Sequence, residues 1–384
     1  VDGGAIRLRV EARAEPAERL LSALVDEPSG SGDRKGVARV QERLAREFDA
    51  LGFAVELVRE KGLPRHLVAR RAGRAAGAPR VLLLGHADTV FPPGDRRRFS
   101  KDGELYRGPG VADMKGGLVV LLEAVRAIGR EAAAALEIEA VVNGDEELGS
   151  PDSRELIRER ARGASAALVF ENSEEEGALI AGRKGLGRAS IRVRGRGAHA
   201  GIAPEKGASA VLAMAHKVIE ISRLDDPARG LGVVVGIARG GLSRNTVPAE
   251  AEIEVDLRFR DARDGEQALA RIREIAARTH VPGTWASVEG ELHRPPMDPG
   301  GAGGALLPLA ARCAQALGGS ARGVATGGGS DANLTAGLGV PTLDGLGVVG
   351  SEIHTREEWC LARSLGSRAA LTALVLEELA RNRG

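Results

Sequence analysis

Apolar positions fall into two regimes along the chain. Over residues 16–51 they recur at three- and four-residue spacing, which predicts two amphipathic helices interrupted by P-S-G-S-G-D at 28–33. Short apolar runs at 53–58, 67–71 and 81–84 predict strands. The last of these is unbroken by polar residues, as in a strand buried on both faces. Helix-spaced segments at 116–128 and 152–161 alternate with strand-like runs at 136–142 and 166–170. This alternation predicts an α/β domain with helices on both faces of its sheet.

Near residue 184 the pattern changes. Ala189, Ile191 and Val193 alternate with polar residues, as do Ile253, Val255, Leu257 and Phe259. These strands have one polar face. With helices at 208–222 and 266–278 and strands at 232–238 and 284–288, the order is β-α-β-β-α-β, a split βαβ sandwich. Residues 185–297 are therefore expected to form an inserted second domain, with 1–184 and 298–384 as the two parts of the first. P-P-M-D-P-G-G-A-G-G at 295–304 is the expected return linker. Residues 305–384 then supply a helix, a Gly-rich loop, a strand and a long C-terminal helix.

Composition narrows the function. Lys+Arg is 54 and Asp+Glu is 53, a balance unsuited to a protein that neutralises phosphates. Aromatic residues are 2%, too few for a base-stacking platform. No nucleic-acid partner is expected. No apolar run reaches membrane-spanning length, so no membrane partner is expected either. The opening V-D-G-G-A-I-R-L-R-V has no leader-like apolar core, so a cytoplasmic location is expected; the missing initiator Met leaves export of a precursor open. Cys313 and Cys360 fit no C-x-x-C pattern and are expected as two buried thiols in helix-like segments.

Five short stretches can carry chemistry. H-A-D-T-V places His86 and Asp88 after the apolar run 81–84, and strand ends are where α/β sheets bind ligands. G-P-G-V-A-D-M-K-G-G carries Asp113 just ahead of a helix. N-G-D-E-E-L-G-S sets Glu146 and Glu147 directly after a strand, where carboxylates are costly unless solvated or bound to cations. L-V-F-E-N ends another strand on Glu171, and G-S-E-I-H-T-R-E-E carries His354. Each stretch alone also fits an ordinary loop or turn. Together they offer two imidazoles and three carboxylates, about what two divalent ions sharing a carboxylate need, with Glu146 left over as a free base. Nitrogen and oxygen donors without thiolates favour zinc, with cobalt or manganese as substitutes.

In this order, the stretches resemble the co-catalytic di-zinc metallopeptidases: glutamate carboxypeptidases, aminoacylases, acetylornithine deacetylases and succinyl-diaminopimelate desuccinylases. The resemblance spans nearly the whole chain and is nearest to the bacterial glutamate carboxypeptidases, through T-G-G-G-S-D-A at 326–332 and G-V-P-T-L-D-G-L-G at 339–347. It implies a catalytic domain with helices on both faces of a mixed sheet, plus a ferredoxin-like dimerisation domain and a homodimer. It implies that His86 and Glu171 hold one zinc, that Glu147 and His354 hold the other, and that Asp113 bridges them. Glu146 would be the general base, and Asp88 would orient His86. His199, in G-R-G-A-H-A-G, would stabilise the oxyanion in the partner subunit's site. Asn245, in S-R-N-T-V-P-A, would contact substrate, and Arg294 would grip its carboxylate. Apart from the resemblance, G-G-G-S at 327–330, Gly328 included, runs into a short helix and offers backbone N–H donors as an anchor for a second carboxylate. The implied activity is release of a C-terminal, acidic amino acid from a peptidyl or N-acyl group. An N-acyl-amino-acid deacylase and a non-catalytic binding protein on the same fold are the alternatives. The chain departs from the family after Glu171, where Asn172, Ser173 and Glu174 to Glu176 replace Pro and small residues, and at Ser330, where Thr is frequent.

Overall fold

The computed structural model describes residues 3–74, 77–173 and 175–381. It divides into two compact units. The first comprises 1–182, 297–326 and 330–384; the second comprises 183–296 with the short segment 327–329. Of the acidic run after Glu171, Glu174 lies outside the described residues.

The first unit is built on a six-stranded sheet. Its order is Ala54–Glu60, Leu63–Arg71, Glu137–Asn143, Arg80–His86, Ala166–Val169, Thr342–Leu343. Leu63–Arg71 runs antiparallel to both of its neighbours, and every pairing from Glu137–Asn143 onward is parallel, so the sheet is mixed. The uninterrupted run at 81–84 behaves as its composition demands. Val81 and Leu83 enter one apolar cluster, Leu82 and Leu84 the other, one on each face of the sheet. Helices Ala14–Val25, Arg34–Ala50, Lys115–Ala127 and Ala362–Arg381 pack into the larger cluster, and Arg154–Ala161 into the smaller.

A second sheet of very short strands, in the order Gly350–Ser351, Trp359–Leu361, Leu105–Arg107, Ser100–Asp102, has no counterpart in the sequence reading. It corrects the expectation for Cys360, which lies in a strand, not a helix; both thiols are buried as expected. Two further helices also went unread. Gly3–Glu11 buries only Gly3, Ile6 and Val10, and Arg130–Ala135 buries nothing. Neither has the apolar stripe that periodicity detects.

The second unit is the expected split βαβ sandwich. Strands Gly232–Gly240, Glu250–Phe259, Gly185–Arg194 and Trp285–Arg294 form one antiparallel sheet in that order. Ala189, Ile191, Val193, Ile253, Val255, Leu257 and Phe259 share one core with the helices Ala210–Ser222 and Ala262–Ala277. The opposite face carries cross-strand ion pairs such as Arg188–Glu291 (2.7 Å) and Arg194–Glu250 (2.8 Å). The strand Trp285–Arg294 runs six residues beyond the expected end at 288; Glu289, Gly290, Glu291 and His293 lack the apolar alternation that marks a strand in sequence. Among the described residues no helix is long and apolar enough to cross a membrane.

Candidate metal centre

The parallel strands end together. His86 closes Arg80–His86, and Asn143 closes Glu137–Asn143 just ahead of the Glu146–Leu148 turn. Glu171 follows Ala166–Val169 by two residues. Asp113 arrives from the loop before the helix Lys115–Ala127, across a cis bond to Met114. His354 comes from the turn between Gly350–Ser351 and Trp359–Leu361, 241 residues away from Asp113 in sequence.

These side chains converge. Asp113 lies between two imidazoles, with His86 Nε2 3.1 Å from its Oδ1 and His354 Nε2 3.1 Å from its Oδ2. Glu171 Oε2 lies 3.6 Å from His86 Nε2, and Glu147 Oε2 lies 3.3 Å from His354 Nε2. Donor atoms of His86, Asp113 and Glu147 fall within 4.8 Å of one another, as do those of His86, Glu146 and Glu171. His86 Nδ1 donates to the backbone carbonyl of Asp88 at 3.0 Å, which directs Nε2 into the cluster. Asp88's carboxylate is farther from that ring, 3.5 Å at the nearest oxygen. It also accepts from Ser31 Oγ (2.7 Å) and from the backbone nitrogens of Glu146 (3.2 Å) and Glu147 (3.3 Å).

So many charges in one buried place disturb one another. Burial pushes the Glu171 carboxyl up to about 8 and the Glu147 carboxyl up to about 7. Burial alone would raise Asp113 too, but hydrogen bonds from His354 and His86 hold it below the ordinary carboxylate range. Hydrogen bonds to Asp113 and Glu147 lift His354 to about 10. Burial opposes protonation of His86, yet Glu171 and Asp113 raise it well above its usual value. Glu147 Oε1 is buried with no hydrogen-bond partner. An orphaned carboxylate oxygen among carboxylates and two imidazoles is what a cation site needs, so these residues fit divalent metal.

In the second unit, two residues read from separate motifs become neighbours. His199 pairs with Thr246 across a short antiparallel bridge, and Ala200 N donates to the carbonyl of Asn245 at 3.0 Å. His199 is exposed, and its Nδ1 accepts from Gly201 N at 3.2 Å. Arg294 is buried at the end of its strand, and the 327–329 segment packs nearby, with Gly329 against Leu186 and Arg294. Gly328 O accepts from Arg183 at 3.3 Å. Just beyond that segment, in the first unit, Ser330 N already donates to Asn333 Oδ1 (2.9 Å) and Ala332 N to Ser330 Oγ (3.1 Å).

Residues 82–378 match the family model described as Peptidase family M20/M25/M40. The chain belongs to this family. As an M20-family protein it is an enzyme of the metallopeptidase and amidohydrolase kind, with the family's mixed α/β fold and second, smaller domain. It is 31% identical to carboxypeptidase G2 of Pseudomonas sp. (strain RS-16) over 370 residues, covering 94% of this chain and 88% of that protein. It is 29% identical to succinyl-diaminopimelate desuccinylase of Acidiphilium cryptum over 365 residues, covering 89% and 93%. Among solved structures, aminopeptidase PepT from Bacillus cereus superposes with a TM-score of 0.77 at 26% identity, covering 96% of this chain and 99% of that one.

Two residues beside this cluster carry no motif signal of their own. Ser31 lies in the helix break at 28–33, and Glu358 closes the stretch that carries His354. Glu358 is 1% exposed and accepts three backbone N–H bonds from 110–113. A Glu directly ahead of the apolar W-C-L was its only sequence signal.

Proposed function

We propose that this M20 enzyme is a di-zinc amidohydrolase that releases a C-terminal, acidic amino acid from a peptidyl or N-acyl group. The observation that carries the reading is the pairing of His86 with Glu171 and of His354 with Glu147 around Asp113. That arrangement supports one ion on His86 and Glu171, a second on Glu147 and His354, and Asp113 shared between them. Zinc there would supply Lewis acidity, making a water acidic and polarising the scissile carbonyl.

The protein's own groups do the rest. Glu146, beside the cluster, takes the proton of the attacking water and passes it to the leaving nitrogen as the C–N bond breaks. The products are a carboxylic acid and a free amino acid. Because Gly201 N–H occupies His199 Nδ1, the Nε2–H of His199 is left to donate to the developing oxyanion. That His199 belongs to the partner copy in a homodimer, and Asn245 beside it contacts substrate. The Arg294 fork takes the α-carboxylate, with Gly328 in the neighbouring segment.

The second reading, an N-acyl-amino-acid deacylase, draws on the similarity to the desuccinylase of Acidiphilium cryptum. A panel of acyl and peptidyl substrates given to zinc-loaded protein, with the released amino acid identified, separates the two. Release of Glu or Asp from varied acyl groups supports the carboxypeptidase reading. A strict requirement for one acyl group supports the deacylase.

A further inference from the structure

We propose that Glu358 is a positioning residue that holds the Asp113 backbone so that its two carboxylate oxygens can serve two ions. The inference rests on the reading of Asp113 as the shared ligand.

Glu358 lies four residues after His354, immediately before the strand Trp359–Leu361. Its Oε1 accepts from Ala112 N (2.9 Å) and Asp113 N (3.0 Å), and its Oε2 accepts from Gly110 N (2.8 Å). Both oxygens are thus spent on the loop that presents Asp113. The next residues extend the connection: Trp359, Cys360 and Leu361 pair with Arg107, Tyr106 and Leu105. Cys360 and Trp359 also pair with Gly350 and Ser351, closing the turn that carries His354. One carboxylate at the end of this ladder therefore couples the His354 turn to the Asp113 loop.

The chemistry requires a carboxylate. Three N–H groups converge on it, and an ionised carboxylate only accepts. An amide of the same shape would turn an NH2 toward at least one of those donors. A loop held only for stability has no need of a further buried negative charge beside Asp113. That cost is offset in part by the buried Lys115 ammonium, and further where cations occupy the site. If Glu358 is replaced, Asp113 still reaches one ion but no longer spans both.

The test is Co2+ titration of the metal-stripped, full-length protein, followed by calorimetry and by the visible absorption of the bound ion. The wild type is expected to bind two ions. Glu358→Gln should bind the first normally and the second on the order of 10- to 100-fold more weakly. Its kcat should fall with KM unchanged, and Glu358→Asp, which keeps the carboxylate, should recover part of both losses. Two ions bound by Glu358→Gln with wild-type affinity and spectrum would overturn the inference. Equal weakening of both ions, the mark of a loosened fold, would overturn it too. If near-ultraviolet circular dichroism shows Glu358→Gln unfolded, Glu358→Asp must show selective weakening of the second ion, and normal binding there counts against the role. If neither variant folds, Glu358 is structural and the inference falls. A wild type that binds only one ion would instead remove the shared-ligand reading itself.

Discussion

The Asp88 carboxylate accepts a hydrogen bond from the backbone nitrogen of Glu146 at 3.2 Å, so the motif that carries His86 holds the motif that carries the proposed base. Its other oxygen accepts from Glu147 N and from Ser31 Oγ. His86 itself is held through the Asp88 main chain, which no substitution of the side chain removes. Asp88→Asn is therefore expected to leave His86 in place and to shift the 146–147 turn, because an amide cannot accept from all three donors. Activity should fall on the order of 10- to 100-fold. A crystal structure of the variant decides the point: a rotated His86 ring above an unmoved turn would return Asp88 to the role the family resemblance implied.

Glu146 and Glu147 are adjacent, and Glu147 contacts His354. Glu146 lies within reach of His86 and Glu171, so geometry alone would also allow it to be a ligand. If it is the base, Glu146→Gln should lower kcat by several powers of ten while elemental analysis still finds about two metals per chain. Loss of one metal in this variant would place Glu146 among the ligands.

The helix Lys115–Ala127 approaches the end of the strand Ala166–Val169 so closely that a Cβ on Gly117 would overlap the carbonyl oxygen of Phe170. Phe170 precedes Glu171, so the contact sets a metal-site residue as well as the core. Ala is the better helix former by about 1 kcal/mol, but backbone oxygen cannot move aside as a side chain can. Gly117→Ala is expected to cost about 1–3 kcal/mol and to lower the melting temperature by several degrees. A melting temperature at or above wild type would show that the helix shifts freely.

His66 is buried beside Asp145 and accepts from Gly144 N at 3.3 Å. Burial lowers its affinity for protons, and Asp145 only partly offsets that. The folded protein therefore resists protonation that the unfolded chain accepts below the ordinary value of 6.5. Its contribution to stability is complete above that value and is lost as pH falls through it toward the folded pKa. His66→Gln keeps an acceptor for Gly144 N but does not titrate. Urea midpoints of metal-stripped protein, measured at about pH 7.5 and about pH 5.5, should fall less for the variant than for wild type. Parallel losses in the two proteins would put the acid sensitivity elsewhere.

Much of the architecture was visible in the chain because its signals are local. The run at 81–84 has no polar residue, so both faces must be covered, and a His at its end sits at the sheet's functional edge. The alternation at 252–259 marks a strand with one polar face. What stayed hidden depends on strands of two or three residues. Gly350–Ser351, Leu105–Arg107 and Trp359–Leu361 are too short to show a period of two, yet they bring His354 to Asp113 and set Glu358 under the loop. Cys360 was misplaced for the same reason. The double role of Asp88, carbonyl to one motif and carboxylate to another, follows from main-chain geometry that no residue pattern encodes.

In the proposed function, Arg294 takes the substrate's α-carboxylate. Arg294 is 3% exposed at the end of Trp285–Arg294, beside the 327–329 segment. Arg presents a planar fork that matches a carboxylate in two parallel hydrogen bonds, and burial strengthens such a pair by excluding water. A substrate with a free α-carboxylate should therefore be turned over faster than its α-amide, by about a hundredfold in kcat/KM. The comparison is N-acyl-Glu against N-acyl-Glu α-amide, with N-acyl-Ala and N-acyl-Lys as side-chain controls. Arg294→Lys keeps the charge but loses the fork, so it should bring acid and amide rates closer together. Equal rates on acid and amide in the wild type would remove Arg294 as the anchor. Faster turnover of N-acyl-Ala or N-acyl-Lys than of N-acyl-Glu would keep the anchor and the hydrolase. It would exclude an acidic side-chain pocket and move the enzyme to the deacylase side of its family.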